Sequence, residues 1–430
     1  MLKIKDIEIK GFWGNQIIKT NFNDDVNIFI GRNGTGKTTF INLLQAVLTA
    51  DLELLYNIPF TEIVINLKSN NRRRKIEVTK IEQNFQYHLL QYKIGKKKFD
   101  LPIVPNREIR YLKRNNGRFS PHLYREISTV KEELQSLTNV SYLSVSREKL
   151  IKDEYTERRK EDIYNSIDIR LEELIGDLRA YQLQLETELS KHSKDFQENV
   201  LKTMLFNEEF DNVRLNEPIK LDIRKIQIGL KQAYNGLGIL DDQISESIDK
   251  HIEAIKKASE SINKANTNPE QGLYANDITP ITLLRRTNNI IELSNKLEKN
   301  KNNIFRRLNK YIFLLNEFQD TKNKKFNLQD SKIGGLSIFK EQDEIDMSQL
   351  SSGEKQLIIL LTETLLQKET ETIFIADEPE LSLHIEWQRK VISSISQLNP
   401  NSQIIVATHS PEIVGKYKNN MINMEKIING

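Results

Sequence analysis

A glycine-rich segment close to the start of this chain restricts the folds that it can adopt. It reads Gly31-Arg32-Asn33-Gly34-Thr35-Gly36-Lys37-Thr38 and fits the pattern G-x-x-x-x-G-K-[ST] in full. The apolar run Val26–Ile30 precedes it, as a buried parallel strand would, and Thr38–Leu48 follows it with helical spacing. The sequence therefore predicts a buried strand, this loop and a helix in succession along the chain, as in an α/β fold.

The residue types of this loop indicate its chemistry. Glycines let the backbone curl with its N–H groups inward, and a helix N-terminus favours anions. We expect the loop to hold the phosphates of ATP, with Lys37 at the β- and γ-phosphates and the Thr38 hydroxyl on Mg²⁺. A glycine-rich turn that binds no nucleotide is the structural alternative. The predicted phosphate-binding set is Gly31, Arg32, Asn33, Gly34, Thr35, Gly36, Lys37, Thr38 and Thr39.

A second candidate element lies near the other end of the chain, where the apolar run Ile373–Ala376 ends in two acids. Asp377, at the strand tip, is predicted to bind Mg²⁺ directly or through water. Glu378 is then placed to polarise the attacking water as a general base. Two acids after a strand can also simply begin a helix, so this interpretation depends on the glycine-rich loop.

A third element, Leu350–Gln356, opens a helix with serine hydroxyls and a glycine N–H, which makes a second anion-binding device. Its candidate binding residues are Ser351, Ser352, Gly353 and Glu354. The structural alternative is an ordinary capping box, because Ser351 and Glu354 have the required spacing.

Composition narrows the class of protein. The chain has 430 residues, enough for two or three domains, and no apolar stretch approaches the ~18–20 residues of a membrane span. We therefore expect no membrane partner. Cysteine is absent, which fits a reducing cytoplasm and excludes disulfides, thiolate zinc sites and cysteine nucleophiles. Because 63 basic residues are balanced by 60 acidic ones, any basic surface must be local.

The chain changes character twice along its length. Residues 1–150 and 335–430 share a mixed α/β style, and we predict that they form one domain around a helical insertion at 151–334. Four segments read as one antiparallel strand set: Ile63–Leu67, Lys75–Ile81, Tyr87–Ile94 and, as its last member, Val140–Val145. Long helices are indicated by apolar seams that begin at Ile167, Leu237 and Leu297. The insertion is either a helical arm for dimerisation or an ordinary bundle.

With these elements in view, a family resemblance becomes specific. Leu350–Gln356 followed by Ile375–Glu380 resembles the signature and Walker B pair of ABC ATPases, and Thr408-His409-Ser410 resembles their switch histidine. The resemblance implies an α/β, ABC-type P-loop ATPase head, a mixed sheet with an antiparallel β layer, interrupted by an α-helical or coiled-coil insertion. It further implies that two heads sandwich two ATP molecules. Ser351–Glu354 of one head would complete the site of the other, and His409 would join Lys37 and Glu378 as a catalytic residue that senses the γ-phosphate.

Three segments are similar in sequence to stand-alone ATPases of the OLD, RecF and SMC-like group, namely Asp377–His384, Trp387-Gln388 and Ala407–Glu412. Within that group it resembles subunits of anti-phage systems, such as AriA of PARIS and PtuA of Septu and retron systems. This implies a sensor or scaffold that controls a separate nuclease or toxin. About twenty residues follow His409-Ser410, so we expect the effector to be another protein. The implied partners are a second copy, a higher oligomer, the effector, and DNA or a phage protein.

Two other functions stay open from sequence. One is a RecF-like DNA repair or maintenance ATPase that clamps DNA on binding ATP, and the other is a scaffold with an idle ATP site. Basic clusters could contact nucleic-acid phosphates or could simply be solvated loops. No Q-loop glutamine is recognisable, and Ser146-Arg147 stands near its expected place. The clusters are Arg72–Lys75, Lys96–Lys98, Arg107/Arg110/Lys113/Arg114 and Lys322/Lys324/Lys325.

Overall fold

The structure, a computed structural model, describes residues 1–69, 72–84, 87–103, 121–144, 166–208, 221–268, 274–319, 324–328 and 334–428. The chain divides into two compact units. The first joins Met1–Arg179 to Lys310–Gly430, and the second is Ala180–Asn309. The domain boundaries predicted from the sequence, 151 and 334, stay a prediction. The second compact unit is shorter at both ends than the insertion predicted at 151–334.

The regular elements take the following bounds. The strands are β1 (Lys3–Phe12), β2 (Gln16–Asn21), β3 (Val26–Ile30), β4 (Glu62–Ser69), β5 (Arg72–Asn84), β6 (Tyr87–Ile94), β7 (Lys97–Ile103), β8 (Asn139–Ser144), β9 (Lys324–Leu328), β10 (Leu336–Lys340), β11 (Asp343–Ile345), β12 (Thr372–Asp377), β13 (Gln403–Ala407) and β14 (Met421–Asn423). The helices are α1 (Lys37–Thr49), α2 (Leu52–Asn57), α3 (Pro121–Leu137), α4 (Ser166–Lys202), α5 (Ile223–Gly236), α6 (Asp242–Thr267), α7 (Ala275–Glu317), α8 (Ser352–Leu366), α9 (Ile385–Leu398), α10 (Pro411–Val414) and α11 (Met424–Ile427).

A parallel sheet forms the centre of the first unit, in the strand order β14-β3-β13-β12-β8. Strands β12 and β13 are buried along their whole length, as expected where both faces of a parallel sheet are covered. The carboxyl ends of parallel strands lie at one edge of a sheet, where ligands commonly bind. The segments that follow β3, β12 and β13 are therefore brought to the same edge.

An antiparallel sheet in the order β2-β1-β4-β5-β6-β7 supplies the second layer. Its inward side chains, such as Ile65 and Tyr92, belong to the same apolar core as Phe40 and Leu44 of α1 and Ile375 of β12. Helix α1 is buried on most of its surface because both sheets contribute to that core. A small third sheet, β11-β10-β9, leads through the 3₁₀ turn Met347–Gln349 into α8.

The predicted fold class is confirmed: sheets of both kinds and helical segments are present, and the three strands predicted within 63–94 pair antiparallel. The placement of Val140–Val145 in that antiparallel set is wrong. Strand β8 pairs in parallel with β12, with Val140 opposite Ile373. A short strand shows its burial pattern in the sequence but not its direction, and β8 returns to the central sheet after α3.

The long helices occur as predicted, with 37 residues in α4 and 43 in α7. In the second unit, Ile226 and Leu230 of α5 pack with Ile248 and Ile252 of α6. The seam predicted from Leu237 begins later than expected. Leu237 and Leu240 lie before α6, because Asp241 caps that helix by accepting a hydrogen bond from the backbone N–H of Ile244 (2.7 Å).

Within the described ranges, no helix combines the length and the apolar character that crossing a lipid bilayer requires.

Candidate nucleotide-binding site

The loop between β3 and α1 takes a shape that its glycines make possible. Gly34 and Gly36 have φ angles of 82° and 87°, a left-handed backbone that side-chain-bearing residues rarely adopt. A Cβ atom on Gly36 would also lie 3.0 Å from ring atoms of Phe12 and Trp13. Gly36 therefore permits both the turn into α1 and the close packing of the β1 end against the loop.

Lys37 begins α1 and is almost fully buried, with 4% of its surface exposed. Its Nζ donates to the carbonyl oxygen of Gly31 (3.0 Å) and lies 2.7 Å from Nε2 of His409. Burial lowers the pKa of Lys37, against the opposing charges of Glu378 and Asp377. Burial and the Lys37 charge likewise lower the pKa of His409. The Lys37 amine and the His409 ring thus lie within hydrogen-bonding distance, and each has a lowered pKa.

Asp377, the last residue of β12, is 8% exposed. Its side chain hydrogen-bonds Thr38, and its Oδ1 has no hydrogen-bond partner among the described residues. Burial raises its pKa, while Thr38 and Lys37 oppose that shift. Mg²⁺ prefers oxygen ligands and commonly takes only one or two carboxylates from the protein. A free, buried carboxylate oxygen beside a threonine hydroxyl fits that ion.

Glu378 follows in a strained backbone conformation, with a φ of 48°. Such conformations in a non-glycine residue persist where the surrounding structure fixes them, often at functional sites. Its Oε1 lies 3.5 Å from Nε2 of His409. Burial raises the pKa of Glu378 to about 8, and the carboxylates of Glu380 and Asp377 add to the shift. A pKa close to the working pH suits general acid–base catalysis, in which the ionised form of Glu378 would accept a proton from water.

The structure brings together Lys37, Thr38, Asp377, Glu378 and His409, as the sequence predicted. It also adds two residues that sequence reasoning missed. Glu380 is buried and accepts hydrogen bonds from the segment that carries His409. Trp13 stacks on Phe12 at a centroid distance of 5.1 Å, touches the Gly36 position and stays 43% exposed. The sequence signals for both residues were weak. Glu380 is one more acidic residue after β12, and Trp13 is a single aromatic residue in a segment with two glycines.

The residues at the start of α8 form a capping box. The Ser351 hydroxyl accepts from the Glu354 N–H (3.3 Å), and the Glu354 carboxylate accepts from the Ser351 N–H (2.8 Å). Glu354 is 2% exposed and pairs with Lys324 at 2.8 Å. Burial opposes ionisation of Glu354, but Lys324 and Ser351 bring its pKa below the ordinary value. The capping box that the sequence offered as the structural alternative is thus present. Contacts with ATP by Ser351, Ser352, Gly353 and Glu354 stay a prediction.

Gly353 has a packing role that can be tested. A Cβ atom there would lie well inside contact distance of the Ser382 carbonyl oxygen, a backbone atom in the segment after β12. Exchanging glycine for alanine inside a helix normally stabilises it. Here we expect the opposite: Gly353→Ala should lower the melting temperature, at a cost of about 1–3 kcal/mol for overpacking. Ser352→Ala, at the exposed neighbouring position, is the control, and equal melting of the glycine variant and the wild type would contradict this packing.

Several sequence predictions lie outside the described residues, namely those for Ser146-Arg147, Arg107, Arg110, Lys113, Arg114 and Lys322. The described basic clusters differ from one another. Lys75 pairs with Glu77, and Lys97 pairs with Glu133. Arg72, Arg73 and Arg74 are exposed at the start of β5, and no described acidic side chain forms an ion pair with them.

Comparison with known proteins gives a family for most of the chain. The family model AAA_15, described as an AAA ATPase domain, matches residues 2–414. The match includes the loop after β3 and the segments after β12 and β13.

The curated relatives include two proteins named as probable retron ATPases and one named as a Septu protein. The chain is 32% identical to the Retron Vc95 probable ATPase of Vibrio cholerae over 105 residues, 22% of this chain and 20% of that protein. It is 22% identical to the Retron Ec83 probable ATPase of Escherichia coli over 441 residues, 96% of this chain and 69% of that protein. It is 30% identical to the Septu protein PtuA of Bacillus thuringiensis over 103 residues, 21% of this chain and 26% of that protein.

Among solved structures, the Smc head domain of Pyrococcus furiosus, determined with an extended coiled coil and the C-terminal domain of ScpA, aligns over 98% of this chain and 93% of that chain. The identity is 16% and the TM-score is 0.42.

Proposed function

The chain belongs to the AAA ATPase domain family, and we propose that it binds ATP and hydrolyses it to ADP and phosphate at the site around Lys37. One observation carries this proposal. The Lys37 ammonium lies 2.7 Å from His409, and Glu378 lies 3.5 Å from the same ring nitrogen, although these residues come from opposite ends of the chain. A cation, a carboxylate and an imidazole meet at the mouth of a phosphate-binding loop.

In the proposed reaction each group has a distinct task. The N–H groups of the Gly31–Thr39 loop and the Lys37 ammonium hold the β- and γ-phosphates. Thr38 and Asp377 would hold Mg²⁺, which neutralises phosphate charge when it is bound. Glu378 accepts a proton from the water that attacks the γ-phosphorus, the bond to the ADP oxygen breaks, and His409 contacts the γ-phosphate. The exposed face of Trp13 is available to stack on the base of the nucleotide.

We propose that the working unit is a homodimer, or a higher oligomer built from it, in which Ser351–Glu354 of one copy completes the site of the other. The support is the exposed start of α8. The capping box uses the Ser351 hydroxyl and Glu354, and it leaves the exposed Ser352 free to meet a phosphate. A helix N-terminus favours such an anion.

For the biological role, we propose a cytoplasmic sensor or scaffold of an anti-phage system that controls a separate nuclease or toxin effector. The support is the set of relatives named as retron ATPases and as Septu PtuA. The test is plaque formation on bacteria that express the chain with its genomic neighbours. We expect protection from the wild type and none from Lys37→Ala at equal protein level. Plaque counts that are the same with the wild type, with Lys37→Ala and without the genes would contradict the defence role.

A RecF-like ATPase that clamps DNA is the second candidate, favoured by one observation. Arg72, Arg73 and Arg74 present adjacent exposed charges that no described acid neutralises. If they bind DNA phosphates, binding should weaken steeply with salt and strengthen with ATP. Replacing all three by glutamine should reduce both the affinity and the slope of affinity against salt. Equal binding by the variant and the wild type would exclude this surface.

A further inference from the structure

The segment Thr408-His409-Ser410 follows β13 and is neither helix nor strand. One buried carboxylate accepts hydrogen bonds from a hydroxyl group and two backbone N–H groups of this segment. Oε1 of Glu380 accepts from the Thr408 hydroxyl, from the His409 N–H (3.1 Å) and from the Ser410 N–H (3.2 Å). Glu380 is 7% exposed. Hydrogen bonds from N–H groups to a buried carboxylate are among the stronger ones in proteins. A single side chain thus fixes three successive residues around His409.

The segment makes further contacts at its two ends, Thr408 and Ser410, and one of them is shorter than the bond from Ser410 to Glu380. The Thr408 N–H donates to Phe29 in β3 (3.1 Å), and the Ser410 hydroxyl donates to Gln388 in α9 (2.6 Å). The Ser410 N–H is shared with the Thr408 hydroxyl (2.9 Å). The His409 N–H has one other acceptor, Glu378, at a longer 3.4 Å. Glu380 is therefore the main anchor of the residue that carries the imidazole.

We propose that Glu380 is a positioning residue for catalysis, which holds the His409 backbone so that its ring meets Lys37 and Glu378. The inference rests on the proposed ATPase function and deepens it. The position of the His409 ring depends on its backbone, since Nε2 lies 2.7 Å from Lys37 Nζ only while the segment keeps this course. One alternative is that Glu380 merely satisfies buried donors and that turnover does not depend on it. The other is that Glu380 acts directly on the neighbouring Glu378, with which its side chain interacts.

The first test needs no ATP, so it is independent of the proposed function. Hydrogen exchange is measured on the full chain without nucleotide, for wild type, Glu380→Ala and Glu386→Ala. Glu386 is an exposed acid in the first turn of α9 and serves as the matched control. We expect the amides of His409 and Ser410 to exchange at least about tenfold faster in Glu380→Ala, because local opening exposes them. Amides of β13 and all amides of Glu386→Ala should keep wild-type rates. Unchanged exchange at His409 and Ser410 would overturn the proposal.

The second test separates positioning from general damage to the fold. Turnover is compared for Glu380→Ala, His409→Ala and the double variant. We expect kcat to fall about 10²-fold in Glu380→Ala, the cost that a misplacement of about 1 Å in a catalytic group can have, with KM within about threefold of wild type. The double variant should turn over as fast as His409→Ala alone. Losses that multiply in the double variant, or wild-type turnover of Glu380→Ala, would show that Glu380 does not act through His409.

Glu380→Gln keeps the proposal testable if the alanine variant does not fold. Glutamine retains one acceptor oxygen of similar reach but no charge, so its turnover should lie between that of wild type and that of the alanine variant. Equal turnover of Glu380→Gln and wild type, combined with wild-type exchange at His409, would reject the positioning role. If the wild type itself turns over no ATP, the proposed function fails, and the exchange measurement still decides what holds His409.

Discussion

Replacing Lys37 with alanine is expected to abolish ATP turnover and to weaken ATP binding by roughly 30-fold to several thousandfold. The range corresponds to about 2–5 kcal/mol, the usual cost of truncating one partner of a desolvated, hydrogen-bonded charge pair. Lys37 is 4% exposed, and its Nζ is directed by the Gly31 carbonyl to the mouth of the loop. Among the described residues, Lys37 is the one lysine or arginine whose charge acts on the pKa of Asp377, so we expect no neighbouring cation to replace it.

Binding is measured by titration with a fluorescent ATP analogue, and turnover by phosphate release. Lys5→Ala, which removes an exposed lysine of β1, is the control and should match the wild type in both. Lys37→Ala should remain folded, because the side chain that it removes is a buried cation whose pKa burial lowers. Wild-type affinity for ATP in a folded Lys37→Ala variant would show that this loop is not the phosphate site.

Replacing Glu378 with glutamine is expected to give the second largest effect, with a different signature. Turnover should fall by about 10²- to 10⁴-fold, the usual contribution of a general base, while ATP binding is kept. Glutamine has nearly the same shape and keeps an oxygen that can accept from the His409 N–H, as Oε2 of Glu378 does. What it loses is the ability to accept a proton from water. Single-turnover phosphate release at saturating ATP measures the step directly, and a rate equal to wild type would assign the base elsewhere.

The same variant should change stability in a pH-dependent way. The pKa of Glu378 is about 8 in the folded protein, above its ordinary value of 4.5. Between these two values the folded state binds more protons than the unfolded state, so stability decreases as pH rises through the window. In EDTA and without nucleotide, the free energy of unfolding of Glu378→Gln should therefore exceed that of the wild type at about pH 8.5, by roughly a few kcal/mol at most. At about pH 5 the difference should be much smaller. Melting temperatures at the two pH values measure the change. A gain that does not depend on pH would contradict the raised pKa.

The parts of this site that the sequence predicted are those with strong local signals. The loop at Gly31 combines a fixed spacing with an apolar strand and a helix, and Asp377 with Glu378 ends a second apolar strand. Parallel strands bring such segments to one edge of a sheet, so the meeting of Lys37, Asp377 and His409 followed from the order of elements. The capping box of Ser351 and Glu354 could also be predicted from the sequence, because it depends only on two residues three positions apart in the chain.

The parts that sequence reasoning missed depend on contacts between distant residues. Glu380 looks like one more acid after β12 until the fold brings the N–H groups of His409 and Ser410 to its carboxylate. Trp13 gains meaning only where β1 ends beside Gly36. The direction of β8 was misjudged for the same reason, because its parallel partner β12 comes more than two hundred residues later in the chain.

In the proposed dimer, one copy of the chain holds Gly31–Thr39, Asp377, Glu378 and His409, and a second copy supplies Ser351–Glu354. ATP turnover per chain is measured across a dilution series, with the oligomeric state followed by mass photometry in the same samples. Turnover per chain should fall in proportion to the fraction of dimer, while ATP binding per chain stays constant. Turnover per chain that stays constant down to concentrations where only monomer is present would contradict the proposed dimer.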